Sequence, residues 1–150
     1  MRVLLQRVTE ASVEIEGKIK GSIGKGILVL LGIEEADSEA DIAWLVGKIL
    51  RLRIFDDEHG VMNLDVQQIG GEVLVVSQFT LHASTKKGNR PSYIKAAPEA
   101  IARPLYNRFL AVLSETLGQE VPSGEFGADM AVRLCNDGPV TIWIDSQNRE

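Results

Sequence analysis

The sequence has one cysteine, two histidines and no long apolar run. A single cysteine, Cys135, cannot form a disulfide within the chain, which indicates a reducing compartment. Zinc sites usually take three or four ligands, and no HExxH or CxxC motif is present, so we expect neither a metal nor a cofactor. Because a membrane helix needs roughly 20 apolar residues, we expect no membrane association and a cytoplasmic location.

Acidic residues are absent between Glu72 and Glu99, although the chain as a whole has 21 acidic and 16 basic residues. The net charge of -5 argues against indiscriminate binding of nucleic acids, because phosphate contacts need cations. The acid-free interval nevertheless contains Lys86, Lys87 and Arg90. It is therefore a candidate anion-facing loop, and a solvated loop without a partner fits the sequence equally well.

Composition and periodicity favour one globular domain over residues 1–150, with 45% hydrophobic and 25% charged residues. Alternating apolar residues predict strands before residue 24, and the apolar run over residues 26–32 predicts a strand buried on both faces. Helical spacing predicts one helix capped by Ser38 and another from about Pro98 to Leu117. The order of these elements indicates a layered α/β architecture.

Two short segments combine small polar residues with the end of an apolar strand. The first, Ser-Gln-Phe-Thr-Leu at residues 77–81, ends a strand predicted over residues 72–81. The second, Asn-Asp-Gly-Pro-Val-Thr at residues 136–141, is a predicted turn between two strands. Only about one in twenty X-Pro bonds in folded proteins is cis, so the Gly-Pro step alone would be an ordinary turn. Together the segments predict a pocket built from backbone.

Conventional hydrolytic machinery is not evident in the sequence. The candidate nucleophiles are Ser77, Thr80 and Cys135, and the candidate bases are His59 and His82. The surroundings of Ser77 lack the glycines of a nucleophile elbow, and no carboxylate is evident to orient His82. We therefore interpret His82 as a polar residue at a strand end and Cys135 as a small core residue.

The two segments together resemble the signature motifs of the D-aminoacyl-tRNA deacylases, dimeric editing enzymes that cleave D-amino acids from mischarged tRNA. The resemblance continues through residues 6–8, 11–13, 88–92 and 126–130, so it covers nearly the whole chain. Tyr93 stands where phenylalanine is more usual. The resemblance implies a homodimer whose α/β fold has layered mixed and antiparallel β-sheets with two main helices.

The same resemblance implies roles for individual residues. The catalytic segment would be Ser77, Gln78, Phe79 and Thr80. The bond between Gly138 and Pro139 would be cis, and their carbonyl oxygens would enter the partner subunit's active site and reject L-amino acids. Further substrate contacts are implied for Asn136, Thr141, Phe126, Met130 and Ala102. Support of the motif across the interface is implied for Gln6 and Arg7, and contact with tRNA for Lys86, Lys87 and Arg90.

The implied reaction is hydrolysis of the ester between a D-amino acid and the terminal ribose of tRNA, by water activated with help from the neighbouring 2′-hydroxyl. Glycine has no side chain to clash, so glycine mischarged on alanine tRNA is a further expected substrate. Two alternatives stay open: a small-ester hydrolase with Thr80 as nucleophile, and a noncatalytic dimeric RNA-binding module.

Overall fold

The computed structural model describes residues 1–150. Its strands are β1 (Arg2–Ile15), β2 (Lys18–Ile23), β3 (Gly26–Gly32), β4 (Phe55–Asp56), β5 (Met62–Leu64), β6 (Glu72–Ser77) and β7 (Ala131–Asp145). Its α-helices are α1 (Glu39–Arg51) and α2 (Glu99–Leu117), and a 3-10 helix spans Phe79–His82. The three N-terminal strands and the two helices confirm the predictions from periodicity, and Ser38 is the N-cap of α1 as expected.

Strand β1 pairs with three other strands of a five-stranded sheet. Its first half pairs antiparallel with β3 and its second half with β2, while β7 pairs antiparallel with both halves. Because a strand has two edges, β7 must lie along the edge opposite β2 and β3. Strand β3 in turn pairs in parallel with β6, and β4 and β5 form a separate antiparallel pair. The expected mixed and antiparallel sheets with two helices are confirmed.

The sheet is buried on both faces near β3. Ile27 and Val29 belong to a core cluster of 22 buried residues that includes the apolar faces of α1 and α2. Leu28, which points to the opposite face, belongs to a second cluster of seven buried residues. This alternation explains why β3 is an almost uninterrupted apolar run. Neither α-helix combines the length and the apolar composition that a membrane crossing requires.

Close approach of the parallel strands requires a glycine at the start of β3. Gly26 pairs with Glu72 of β6. A Cβ atom at position 26 would collide with the backbone carbonyl of Glu72, which cannot move without breaking the ladder. A glycine is thus needed for β6 to reach its register and deliver Ser77 to the end of the sheet.

Two predictions about backbone were wrong in detail. The strand predicted over residues 72–81 ends at Ser77, because the chain turns into the 3-10 helix Phe79–His82. The predicted turn at residues 136–141 is instead part of β7. Val8 pairs with Asn136 and Gln6 pairs with Thr141, so residues 137–140 bulge opposite the single residue between Gln6 and Val8.

The burial prediction for Cys135 was also wrong. Cys135 is exposed on β7, where it pairs with Glu10 of β1. The apolar run around it suggested a core position, but Cys135 belongs to neither of the two hydrophobic clusters. Leu134 and Trp143 on the same strand are also partly exposed, with 37% and 48% of their surface accessible.

Candidate functional site

A cavity of about 260 Å³ lies at the carboxyl end of β6. Its wall is mostly apolar, with ten hydrophobic residues among thirteen. Six residues predicted for the site line it: Ser77, Gln78, Phe79, Ala102, Phe126 and Met130. The structure thus brings the first motif together with helix α2 and with the segment before β7, which are far apart in the sequence.

The sequence prediction missed most of the apolar lining of the cavity. The missed residues include Leu31 near the end of β3, Ile33 just after β3, Val76 of β6 and Val132 of β7. The apolar run of β3 marked Leu31 as buried, but nothing in the pattern indicated that its neighbours would line a cavity. These residues come together only because β3 pairs with β6.

The first motif changes direction at Gln78. The amide of Gln78 donates a hydrogen bond to the carbonyl of Leu31 at 2.7 Å, which extends the β3–β6 ladder by one residue. The chain then enters the 3-10 helix, and the side-chain amide of Gln78 donates to the hydroxyl of Thr80 at 2.5 Å. Phe79 is 57% exposed at the edge of the cavity. The turn therefore places polar groups and an aromatic ring beside an apolar space.

No catalytic base contacts Thr80 within the chain. Its hydroxyl bonds to Gln78, and no imidazole or carboxylate is hydrogen-bonded to it. His82 is fully buried, and neither of its ring nitrogens has a hydrogen-bond partner. Burial lowers the pKa of His82, so its imidazole is neutral at pH 7. The interpretation of His82 as a residue at a strand end was wrong, since it is a core residue of the 3-10 helix.

The far wall of the cavity is the irregular segment before β7. The ring of Phe126 lies 5.6 Å from the ring of Tyr106 on α2, measured between centroids. The Tyr106 hydroxyl donates to the carbonyl of Val75 at 3.2 Å, and burial raises the pKa of Tyr106 to about 12, so it stays protonated. The guanidinium of Arg103 lies 5.1 Å from the Phe126 ring centroid. These contacts attach the wall to α2 and through it to β6.

The second motif forms the bulge in β7 and is held by β1. The Gly138–Pro139 peptide bond is cis. Arg7 donates from Nε to the carbonyl of Asp137 at 3.2 Å and from Nη1 to the carbonyl of Ile54 at 2.6 Å. The Asn136 side-chain amide donates to the carbonyls of Arg7 and Val140, at 2.9 and 3.0 Å. The bulge is therefore fixed by side chains on both strands.

Other predicted members of the second motif face solvent. The side-chain amide of Gln6 donates to the Thr141 hydroxyl at 3.4 Å, and that hydroxyl donates to the Asn136 side chain at 3.3 Å. Pro139 is exposed, and neither Gly138 nor Pro139 lines the cavity. Within one chain the two motifs therefore do not form a common site, and Arg7 and Gln6 contact the second motif of their own chain.

The three predicted tRNA contacts lie in an exposed loop that follows the first motif. Ser84 and Ser92 exchange two backbone hydrogen bonds, at 2.8 and 3.0 Å, which close the loop. Phe79 and Tyr93 pack edge to face with centroids 5.0 Å apart, so the base of the loop is attached to the cavity rim. The cations in the loop are exposed and form no ion pair: Lys86, Lys87 and Arg90.

Comparison with known proteins supports the family that the two motifs resemble. The model of the family described as D-Tyr-tRNA(Tyr) deacylase matches residues 4–145. A protein of Bacteroides thetaiotaomicron named D-aminoacyl-tRNA deacylase is 64% identical over 150 residues, which is the full length of both chains. A solved structure titled c-Myc DNA Unwinding Element Binding Protein is 44% identical, with a TM-score of 0.92 over 97% of this chain and 98% of the other.

A more distant structure supports the fold alone. It is titled as a probable eukaryotic D-amino acid tRNA deacylase, is 19% identical, and gives a TM-score of 0.82 over 95% of this chain and 97% of the other. The family match and the full-length relative carry the assignment. This chain belongs to the D-Tyr-tRNA(Tyr) deacylase family.

Proposed function

We propose that the protein hydrolyses the ester bond of D-aminoacyl-tRNA and releases the D-amino acid and the tRNA. Family membership supports the activity, and one observation about the site carries it. The cavity combines apolar walls with the polar strand end Ser77–Phe79, yet no side-chain base contacts Ser77 or Thr80. Such a site suits a substrate that supplies part of its own chemistry. The reaction belongs to one domain over residues 1–150 and takes place in the cytoplasm.

A homodimer completes the proposed site. The Gly138–Pro139 motif is absent from the cavity of its own chain, and Pro139 is exposed. The outer edge of β7 has no partner strand, and Leu134 and Trp143 are partly exposed on it. A second copy that covers this strand brings the motif to the cavity of its partner. The carbonyl oxygens of Gly138 and Pro139 then occupy the space that an L-side chain needs.

The chemistry uses water and the 2′-hydroxyl of the terminal ribose. The backbone amides of Phe79 and Thr80, at the turn after Ser77, bind the reacting carbonyl and stabilise the charge that develops on its oxygen. The Gln78–Thr80 hydrogen bond holds the turn in place. Substrate binding also involves the other motif residues and the cavity wall, namely Asn136, Thr141, Ala102, Phe126 and Met130.

Side-by-side hydrolysis of D-tyrosyl-tRNA and L-tyrosyl-tRNA tests the proposal. We expect cleavage of the D-form only, together with partial cleavage of glycine mischarged on alanine tRNA. An unselective small-ester hydrolase would cleave both stereoisomers, and a binding module would cleave neither. Either result would refute the chiral deacylase.

A Thr80→Ala variant separates the two chemical routes. We expect this variant to keep turnover within about tenfold of wild type, because losing a positioning hydrogen bond costs roughly 1 kcal/mol. A D-aminoacyl-tRNA that ends in 2′-deoxyadenosine should be hydrolysed much more slowly by the wild-type protein. Complete loss of activity in a folded Thr80→Ala variant would instead support a threonine nucleophile.

Lys86, Lys87 and Arg90 contact phosphates of the acceptor end in this proposal. Because each phosphate contact releases counterions, the triple alanine variant should lower the slope of log affinity against log salt by about two to three. The measurement is tRNA binding by fluorescence anisotropy at several salt concentrations. An unchanged slope would remove these three residues from the interface.

A binding function without hydrolysis is the second candidate, because a 44% identical relative carries a title that describes binding to a DNA element. The net charge of -5 disfavours it. Affinity for duplex DNA comparable to that for tRNA, with no hydrolysis of D-tyrosyl-tRNA, would favour this candidate over the deacylase.

A further inference from the structure

We propose that Arg103 is a positioning residue that holds the Phe126 wall of the cavity against helix α2. The inference rests on the proposed deacylase function. Nη2 of Arg103 donates to the carbonyl of Phe126 at 3.3 Å, and its guanidinium contacts the Phe126 ring. One side chain therefore holds both the backbone and the ring of a residue that lines the cavity.

The wall needs an external support because it is not part of a helix or a strand. Residues 125–128 form a turn closed by one backbone hydrogen bond, from the amide of Ala128 to the carbonyl of Glu125 at 3.2 Å. The neighbouring residues Gly127 and Ala128 also line the cavity. A movement of this turn would change the shape of the space in which the amino acid is bound.

Arg103 is itself oriented by Glu99, one helical turn earlier. The Glu99 carboxylate accepts from Nε at 3.0 Å and from Nη2 at 2.6 Å. Both side chains are substantially exposed, so this pair adds little to the stability of the fold. The ion pair between Glu99 and Arg103 directs the guanidinium toward Phe126. Loss of this pair should therefore affect substrate binding far more than folding.

The test compares Arg103→Leu with Arg108→Leu. Arg108 lies on the same helix, has similar exposure and pairs with Glu39 at 3.0 Å, but does not contact the cavity wall. We expect Arg103→Leu to raise KM for D-tyrosyl-tRNA about five- to tenfold and to change kcat by less than about twofold, because the wall contacts the substrate before and during reaction. Arg108→Leu should change neither value. Equal effects of both variants, or no effect of Arg103→Leu, would overturn the proposal.

Two measurements separate positioning from a direct contact with tRNA phosphate. A phosphate contact would be kept by Arg103→Lys and would lower the salt slope of KM in Arg103→Leu by about one. Positioning predicts an unchanged salt slope and a raised KM in Arg103→Lys, because lysine lacks the planar fork. A retained KM with lysine or a lowered slope would refute positioning.

Hydrogen exchange tests the wall without any substrate. The Ala128 amide, which donates to the Glu125 carbonyl, should exchange faster in Arg103→Leu than in wild type and in Arg108→Leu. If the wild-type protein fails to hydrolyse D-tyrosyl-tRNA, the proposed function is wrong, and exchange still decides whether Arg103 holds the wall. Unchanged exchange in an active protein would leave the function intact and refute the role of Arg103.

Discussion

Replacement of Arg7 by leucine should destabilise the protein and disable the second motif together. Arg7 is buried in β1, with 7% of its surface accessible, and its guanidinium lies against the bulge of β7. An ideal Cβ atom on Gly138 would lie 2.9 Å from Nη2 of Arg7, which shows how closely the guanidinium approaches the bulge. Leucine can fill part of this space but cannot donate a hydrogen bond.

The loss in the free energy of unfolding of Arg7→Leu follows from the two hydrogen bonds that are lost. A charged donor contributes at least about 1.5 kcal/mol per hydrogen bond, so losing the bonds to Ile54 and Asp137 costs about 3 kcal/mol. The ion pairs with Asp56 and Asp137, at 3.6 and 3.3 Å, involve partly exposed carboxylates and add little. For a domain of this size, about 3 kcal/mol lowers Tm by about 6–12 °C. The variant should therefore fold at 25 °C.

Thermal unfolding and deacylation of D-tyrosyl-tRNA are the assays. We expect the Tm decrease given above and a loss of at least about tenfold in kcat/KM, because the bulge loses its buried support. Arg133→Leu is the matched control, since Arg133 lies on β7 and bonds Glu14 of β1 at 2.6 Å but is 63% exposed. That variant should lose less than about 1 kcal/mol and retain activity.

The result that would refute this reasoning is equality of the two arginine variants. If Arg7→Leu and Arg133→Leu lost the same stability, the buried hydrogen bonds of Arg7 would not stabilise the fold as argued. A normal kcat/KM in Arg7→Leu, at a temperature where it is folded, would show that the bulge holds its shape without the guanidinium.

Three further predictions concern other residues. Gly138 has φ +118°, and a Cβ atom there would lie 3.0 Å from a Val140 methyl group. Gly138→Ala should therefore introduce strain of about 1–3 kcal/mol and lower kcat/KM at least about tenfold. A fully active variant would contradict this. Gly26→Ala should not accumulate as folded protein, as measured by circular dichroism. Gly24→Ala should fold, because its Cβ atom would meet only a side-chain oxygen at 3.6 Å. Equal behaviour of the two variants would exclude the clash at Gly26. His82 has a lowered pKa, so the unfolded state binds a proton that the folded state does not. The contribution of His82 to the free energy of unfolding should therefore be fully present above the ordinary pKa of 6.5 and should decrease below it by up to about 1.4 kcal/mol per pH unit. Chemical unfolding at several pH values should show this decrease in the wild-type protein and not in His82→Phe.

Local patterns were sufficient to predict the regular elements and part of the site. The alternation before residue 24, the apolar run of β3 and the cap at Ser38 depend on neighbours in sequence, and all three predictions were confirmed. Six residues of the cavity could be named from the family resemblance, and five of them, all except Ala102, lie in its motifs. The motifs did not indicate that Arg103 contacts the cavity wall. Its spacing of four residues from Glu99 is typical only of an ion pair on a helix.

The errors arose where distant pairing decides the local structure. Nothing within residues 136–141 indicates that both flanking segments pair with β1, which turns an apparent hairpin into a bulge. The end of β6 at Ser77 likewise depends on the length of β3. The exposure of Cys135 depends on which apolar residues the fold packs against β7, and Cys135 is in neither hydrophobic cluster. Each outcome is set by residues far away in sequence.

The pairing of β1 with β7 also sets the order in which the protein can be completed during synthesis. Val3 is made early and Ile144, its partner, is made late. One edge of β1 therefore stays open while the intervening chain emerges from the ribosome, and closing so long a loop is slow. The segment around Gly138 can be seated on Arg7 only after β7 has been released. A nascent chain can thus complete neither the Val132 wall of its cavity nor the seat of the Gly-Pro motif before β7 is released.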